Sequence, residues 1–399
     1  MKYNFDEVID RRGTNALSTD GFRGYIFHAD ETMTFPYKDE EFVRMWVADM
    51  EFASPQVVID AIQKRLDRRI FGYTRMFTDD YYRAFVNWCK EKYAWEFPRK
   101  HLAMSNGIIP ALYELTGHIC APDEKVLFLT PSYAYFKYAA DFNNRQYLCT
   151  DLINKNGTFE IDFADLEQKA ADEKTTLLIL CNPHNPTGRV WTEAELRRLG
   201  DICIKNNLWI ISDEIHCDLL RTGKQHIPLA KLFPEYDKLI TCMAPSKTFN
   251  LAGFMISNLI IPDDALRETW FARHHNSDHP LSIAGAQAAY EAGADWLDEL
   301  KLYLDENFAY TKAYLGEHLK KAVFEIPEAT YLAWVDVGAY FDANEDLSMF
   351  FANNAGVLLE GGNMFVQNGG GFIRLNLACP RSILQKGLER ISAAIHNRA

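Results

Sequence analysis

Thr176-Leu177-Leu178-Ile179-Leu180-Cys181 is a mostly apolar run that stops at Asn182-Pro183-His184-Asn185-Pro186-Thr187-Gly188. A run this short and apolar suits a strand buried on both faces. Two Asn-Pro pairs and a Gly then dictate a shaped loop in place of a helix start. Further on, Thr192 stands three residues before Glu195, the signature of a capping box, and opens a helix that runs to about Asn206. The next apolar run, Leu208–Ser212, follows at once. Strand, loop, helix and strand make the unit of a parallel sheet. Working outward, Val126–Thr130, Leu239–Met243 and Ser257–Ile261 read as further buried strands. The fold class is therefore α/β, with a mainly parallel sheet.

The last hundred residues have a different rhythm. Helical periodicity covers about 296–321, and strand-like Tyr331–Val337 follows. A helix near Leu347–Asn354, strand-like Phe372–Leu377 and a last helix from about Arg381 complete a smaller α+β layer. The expected division is a large domain over 50–290, with 1–49 and 291–399 forming the small one. No internal repeat or flexible linker interrupts the chain.

With 399 residues the chain can bury a large core without disulfides or metals. Its 42 basic and 55 acidic residues give a net charge of −13, which argues against nucleic acid or an anionic membrane as partner. Neither an apolar leader nor a run long enough to span a bilayer is present in the sequence. The eight cysteines are scattered without a C-x-x-C pair and read as reduced, buried thiols, so a cytoplasmic setting is expected.

In open α/β sheets, ligands bind beyond the carboxyl ends of the strands. Four strand ends carry unusual polar residues. Asn185 either shapes a rigid turn or presents an amide to a ligand. Asp213 ends the run Leu208–Ser212; it is a helix cap or the partner of a cationic ring nitrogen. His216 follows three residues later, and a lone His there is more often structural. Most lysines are solvated surface residues, but Lys247 in Ala244-Pro245-Ser246-Lys247-Thr248 stands at a strand end with a hydroxyl on either side; a lysine held in a cleft sheds its charge readily, which suits Schiff-base chemistry. Met104-Ser105-Asn106-Gly107-Ile108-Ile109 precedes a helical pattern and offers either an N-cap or an anion site. Within Phe372–Leu377, Arg374 and Asn376 alternate with Ile373, Leu375 and Leu377. That pattern fits an exposed polar face, or an Arg fork for a carboxylate. A cluster of His274, His275, Asp278 and His279 fits no zinc spacing, so no metal is expected.

Taken in this order, the motifs resemble those of the fold-type I pyridoxal-phosphate enzymes, the aspartate-aminotransferase (class I/II) superfamily. The resemblance spans nearly the whole chain. It rests on Asn182–Gly188, Ser212-Asp213-Glu214-Ile215-His216, Ser246-Lys247-Thr248 and Arg374. Within that superfamily the chain is similar to the MalY/PatB/cystalysin group of carbon–sulfur β-lyases. The further residues are Ile9-Asp10-Arg11-Arg12-Gly13-Thr14, Trp46–Phe52, Phe71-Gly72-Tyr73-Thr74, Ala244–Asn250 and Phe372–Arg381.

The resemblance implies a large domain with a mainly parallel seven-stranded sheet beside a smaller α+β domain. It implies pyridoxal 5'-phosphate as cofactor and a small sulfur amino acid as substrate. Residue by residue, Lys247 matches the Schiff-base lysine, and Asp213 the acid that pairs with the pyridine nitrogen. Asn185 and His216 match groups at the ring 3'-oxygen, and Tyr133 the aromatic residue stacked on the ring. Gly107, Ile108, Ile109 and Ser246 match the phosphate site. Tyr73 matches a tyrosine that reaches the phosphate of a partner subunit, which implies a homodimer with shared active sites. Arg374 matches the clamp for the substrate carboxylate, with Asn185, Val47 and Ala48 beside it. Lys247 would move the Cα proton, and Lys247 or Tyr133 would protonate the leaving sulfur.

Three positions depart from the aminotransferase pattern. Ala244 and Met255 stand where aminotransferases place a phosphate-binding Ser and Arg, and Phe365-Val366-Gln367-Asn368 replaces an expected Phe-Gly pair. The first two departures are shared by the β-lyase group. An aminotransferase on the same scaffold, and a cofactor-binding regulator that acts through a protein partner, are the alternative readings.

Overall fold

The computed structural model describes residues 2–74, 78–274 and 279–398. Its main sheet has seven strands: β1 (Leu102–Ser105), β2 (Lys125–Thr130), β3 (Gln146–Asp151), β4 (Thr175–Cys181), β5 (Trp209–Asp213), β6 (Leu239–Met243) and β7 (Ser257–Ile260). The spatial order is β1-β7-β6-β5-β4-β2-β3. Only β7 runs antiparallel to its neighbours β1 and β6. The mainly parallel, seven-stranded sheet expected from the sequence is therefore present. Its central strands are apolar because helices cover both faces. Leu177, Leu178, Ile179 and Leu180 of β4 are all fully buried, each contributing about 1.5–3 kcal/mol of burial free energy.

Helices begin where the sequence supplies donors and caps. In α1 (Ile108–Ile119) the cap is Gly107 at φ +121°, not Ser105 or Asn106. The next helix, α2 (Ala134–Phe142), opens at Tyr133. The capping box opens α3 (Glu193–Lys205) as expected: Thr192 Oγ1 accepts from the Glu195 amide, and Glu195 accepts from the Thr192 amide. A single turn, α4 (Pro245–Thr248), follows β6 and carries Lys247.

A three-stranded antiparallel sheet forms from β8 (Leu332–Asp336), β9 (Glu360–Gly361) and β10 (Phe372–Asn376), in the order β8-β10-β9. It packs with the helices Ala294–His318, Leu347–Ala355 and Arg381–His396. Residues 43–52 tie this layer to the main sheet. Val43–Arg44 pairs in parallel with Val357–Leu358, and the Asn376 amide donates to Met45 O. On the other side, Asn250 Nδ2 donates to Met50 O and Phe52 O at 3.1 and 2.9 Å. These bonds hold Val47 and Ala48 over the carboxyl ends of the main strands. No helix among the described residues is long and apolar enough to cross a membrane.

Candidate active site

Beyond the carboxyl ends of β4, β5 and β6 lies a cavity of about 430 Å3. Asp213 reaches it from the last position of β5, between Cys181 and Cys242 on the flanking strands. Its Oδ1 accepts from the Ile215 amide at 3.2 Å, and among the described residues no cationic side chain hydrogen-bonds to it. Burial pushes its carboxyl up to about 7, and the adjacent Glu214 adds to the effect. Such a carboxylate favours a cationic group placed beside it.

Lys247 enters from α4. Its Nζ donates to the Ala48 carbonyl at 2.5 Å, the same oxygen that accepts from Tyr331 OH at 2.9 Å. Burial lowers the ammonium pKa, while Asp49 opposes that shift. The turn is fixed from behind: Thr248 Oγ1 donates to Asp218 Oδ2 at 2.8 Å, and Trp88 Nε1 and Tyr93 OH donate to the same carboxylate. His216 lines the cavity with its ring edge-on to Tyr331. Burial, then Lys247 and Arg374, push it down to about 3, so the imidazole is neutral at physiological pH. Its Nδ1 is buried without a hydrogen-bond partner.

Asn185 is set by its loop. The His184 amide donates to Arg189 O, the Gly188 amide donates to His184 O, and the Asn185 amide reaches Cys181 Sγ. Gly188 closes the loop at φ +67°, where an added Cβ would lie 2.3 Å from Pro327 Cβ and 2.8 Å from Ala329 O. Gly188→Ala is therefore expected to cost about 2–4 kcal/mol. The check is a lower urea midpoint at unchanged m-value. An unchanged midpoint would mean that the loop gives way.

Arg374, on β10, is 2% exposed rather than part of a solvated polar face. Nη1 donates to Asn185 Oδ1 at 3.1 Å and Nη2 to Trp46 O at 3.2 Å, while Glu360 Oε2 lies 2.5 Å from Nη2. Val47 and Ala48 form the wall next to it. Tyr133 lies 4.9 Å from Tyr135, ring centre to ring centre, and burial holds its phenol well above the ordinary range. Gly107, Ile108 and Ile109 at the start of α1 line the same cavity, with Ser246. The first amides of a helix lack intrahelical acceptors and suit an anion. Ala244 and Met255 also line the cavity, and among the described residues its cationic lining side chains are Lys247 and Arg374.

One cavity thus gathers every site residue expected from the sequence except Tyr73, which is fully exposed and lies away from it. Of the histidine cluster, His275 and Asp278 lie outside the described residues, and His274 stacks on Trp270 at 3.8 Å. Among the described residues no three His, Cys, Asp or Glu are grouped to hold a metal ion. Sequence reasoning missed Tyr25, Tyr135 and Glu360, which also line the cavity. Glu360 had a signal: it ends the apolar run Val357-Leu358-Leu359, just as Asp213 ends its own. Tyr25, on the six-residue helix Phe22–Phe27, had none.

The donor set fits pyridoxal phosphate. It offers an amine for the aldehyde, an uncompensated buried carboxylate for a protonated ring nitrogen, an unpaired imidazole nitrogen and a helix start for the phosphate. Comparison with known proteins agrees with that chemistry. Cystathionine beta-lyase PatB of Bacillus subtilis is 36% identical, the match covering 98% of this chain and all of that one. The crystal structure of the PLP-bound C-S lyase from Staphylococcus hominis superposes with a TM-score of 0.94 at 49% identity, covering 98% of each chain. Cystalysin from Treponema denticola, whose crystal structure contains pyridoxal 5'-phosphate, gives 0.92 at 31% identity over the full length of both. The family model for aminotransferase class I and II matches residues 41–391, and with that span the chain belongs to this family.

Proposed function

We propose that this protein is a pyridoxal-phosphate-dependent carbon–sulfur β-lyase. It cleaves the Cβ–S bond of a small sulfur amino acid and, with one water, releases a thiol, pyruvate and ammonia. The observation that carries the reading is the single cavity holding Lys247, Asp213, Asn185, His216 and Arg374 together. The likeness to PatB and to the C-S lyase from S. hominis favours lyase over transaminase chemistry.

Pyridoxal phosphate, when bound, supplies an electron sink for the bonds at the substrate Cα. The chain does the rest. Arg374 binds the substrate carboxylate through a guanidinium already oriented by Asn185 and Trp46. Lys247 Nζ takes the Cα proton; its lowered pKa leaves a larger neutral fraction available as base. Asp213 favours the protonated ring nitrogen. Asn185 and neutral His216 would hold the ring oxygen, Tyr133 would cover the ring, and Gly107, Ile108, Ile109 and Ser246 would hold the phosphate. The leaving sulfur is protonated by Lys247 or Tyr133.

The reading extends to a homodimer with shared active sites, in a cytoplasmic setting. Ile70, Phe71 and Tyr73 support the dimer, being 72%, 54% and 101% exposed on one short segment. Apolar side chains grouped at a surface favour an interface. The large domain would span 50–290 and the small one 1–49 with 291–399.

The transaminase alternative is tested by incubating the cofactor-loaded protein with L-cystathionine and 2-oxoglutarate. A lyase forms pyruvate at a rate independent of the keto acid. Glutamate formation as the main product would overturn the lyase assignment.

A further inference from the structure

Glu360 stands opposite Arg374 in the antiparallel pairing of β9 with β10. Cross-strand neighbours share a face of the sheet, so the carboxylate is delivered to the guanidinium by the backbone itself. Both are buried, Glu360 at 4% and Arg374 at 2% exposure, and Oε2 lies 2.5 Å from Nη2. The other guanidinium hydrogen bonds go to Asn185 Oδ1 and Trp46 O, the Phe365 ring lies 5.1 Å away, and Nε is buried without a hydrogen-bond partner. An amino-acid carboxylate needs two parallel N–H groups for a bidentate grip. The resting guanidinium cannot offer its Nη2 edge without sharing it with Glu360.

The groups that face Glu360 come from four other elements: Arg374 on β10, Lys247 on α4, Tyr25 on the helix Phe22–Phe27, and Tyr133 and Tyr135 at the start of α2. Burial raises the Glu360 carboxyl above its ordinary value, and Arg374 and Lys247 restrain that rise. A second carboxylate on the same guanidinium removes much of the restraint, because like charges sharing a site cannot both remain ionised cheaply.

We infer that Glu360 is an internal competitor for the Arg374 clamp: it neutralises the guanidinium in the resting site and takes up a proton from solvent when a substrate carboxylate binds there. This rests on the reading of Arg374 as the carboxylate clamp. Glu360 acts through Arg374, competing for its guanidinium, and so couples substrate binding to pH. The complex binds more protons than the free protein. Affinity is therefore highest below the pKa of Glu360 in the free site. It falls as pH rises, until the higher pKa of the complex is passed.

The test uses the cofactor-loaded protein and methylthiopropanoate, which has the carboxylate and thioether of a substrate but no amine to react with a carbonyl. Calorimetric titration near pH 8, in two buffers of different ionisation enthalpy, counts the protons taken up. Wild type is expected to take up a measurable fraction of one proton. Glu360→Gln is expected to take up none and to bind about tenfold tighter at that pH, with a flatter pH dependence. Glu360→Asp, which keeps the charge, should retain the uptake. In turnover, the Gln substitution should act more on KM than on kcat.

Equal uptake by wild type and Glu360→Gln would overturn the inference. So would weaker binding by Glu360→Gln at every pH, which would make Glu360 a scaffold for Arg374. An Arg374→Lys variant separates the two levels. If it binds the probe as wild type does, the clamp reading itself falls. If it loses the probe while Glu360→Gln behaves as wild type, only the competitor role falls.

Discussion

Lys247→Ala is expected to yield a folded protein without covalently held cofactor and with kcat lowered by about 10000-fold. Among the described residues Lys247 is the only lysine that lines the cavity, so no described neighbouring amine replaces it. Its loss removes both the anchoring amine and the base proposed for the Cα proton. Structure should survive, because α4 is held by Thr248 on Asp218 and by Asn250 on residues 50 and 52, not by the lysine. Borohydride reduction followed by peptide mass spectrometry gives the first readout. Wild type should show a cofactor adduct on the peptide that contains Lys247, and the variant none. An adduct on another lysine, with activity above about one hundredth of wild type, would refute the assignment.

Asp213→Asn should retain the cofactor yet lose about 100- to 1000-fold in kcat. The amide is nearly isosteric and can still accept from the Ile215 N–H, so local geometry is kept. What it lacks is the negative charge. In the cofactor-free chain, burial pushes the Asp213 carboxyl up to about 7. A cationic ring nitrogen beside it draws that value back down and keeps the acid ionised. The pairing thus stabilises the protonated ring, the form with the greater capacity to accept electrons. Without it the ring nitrogen loses its proton, and the proposed proton removal from Cα slows. The check is kcat at saturating substrate together with cofactor stoichiometry. A variant that holds cofactor and turns over within about fivefold of wild type would show that Asp213 is only a structural cap.

Much of this site was legible because the strands that build it are central. The runs that became β4, β5 and β6 are mostly buried, and the polar residues inside them are small hydroxyl ones such as Thr176, Ser212 and Thr241. Their ends are marked by the polar residue that follows. The two strands that periodicity did not reveal, β1 and β3, are the edges of the sheet. β1 has four residues, and β3 mixes Gln146, Thr150 and Asp151 with apolar ones. Strand number came from the resemblance and not from pattern. The Arg374 alternation was readable, but its meaning was not. Alternating polar residues look alike whether the second face meets water or, as here, a cavity. Glu360 escaped because its strand is two residues long. Tyr25 escaped because its place depends on a contact with residues more than a hundred positions away.

The central claim is β-elimination at the cavity that holds Lys247 and Arg374. The most direct measurement is the yield of pyruvate and free thiol from L-cystathionine, with cofactor-loaded protein and no added keto acid. The account predicts equal amounts of both, increasing linearly through many turnovers. No thiol, or keto acid limited to one equivalent per site, would contradict it.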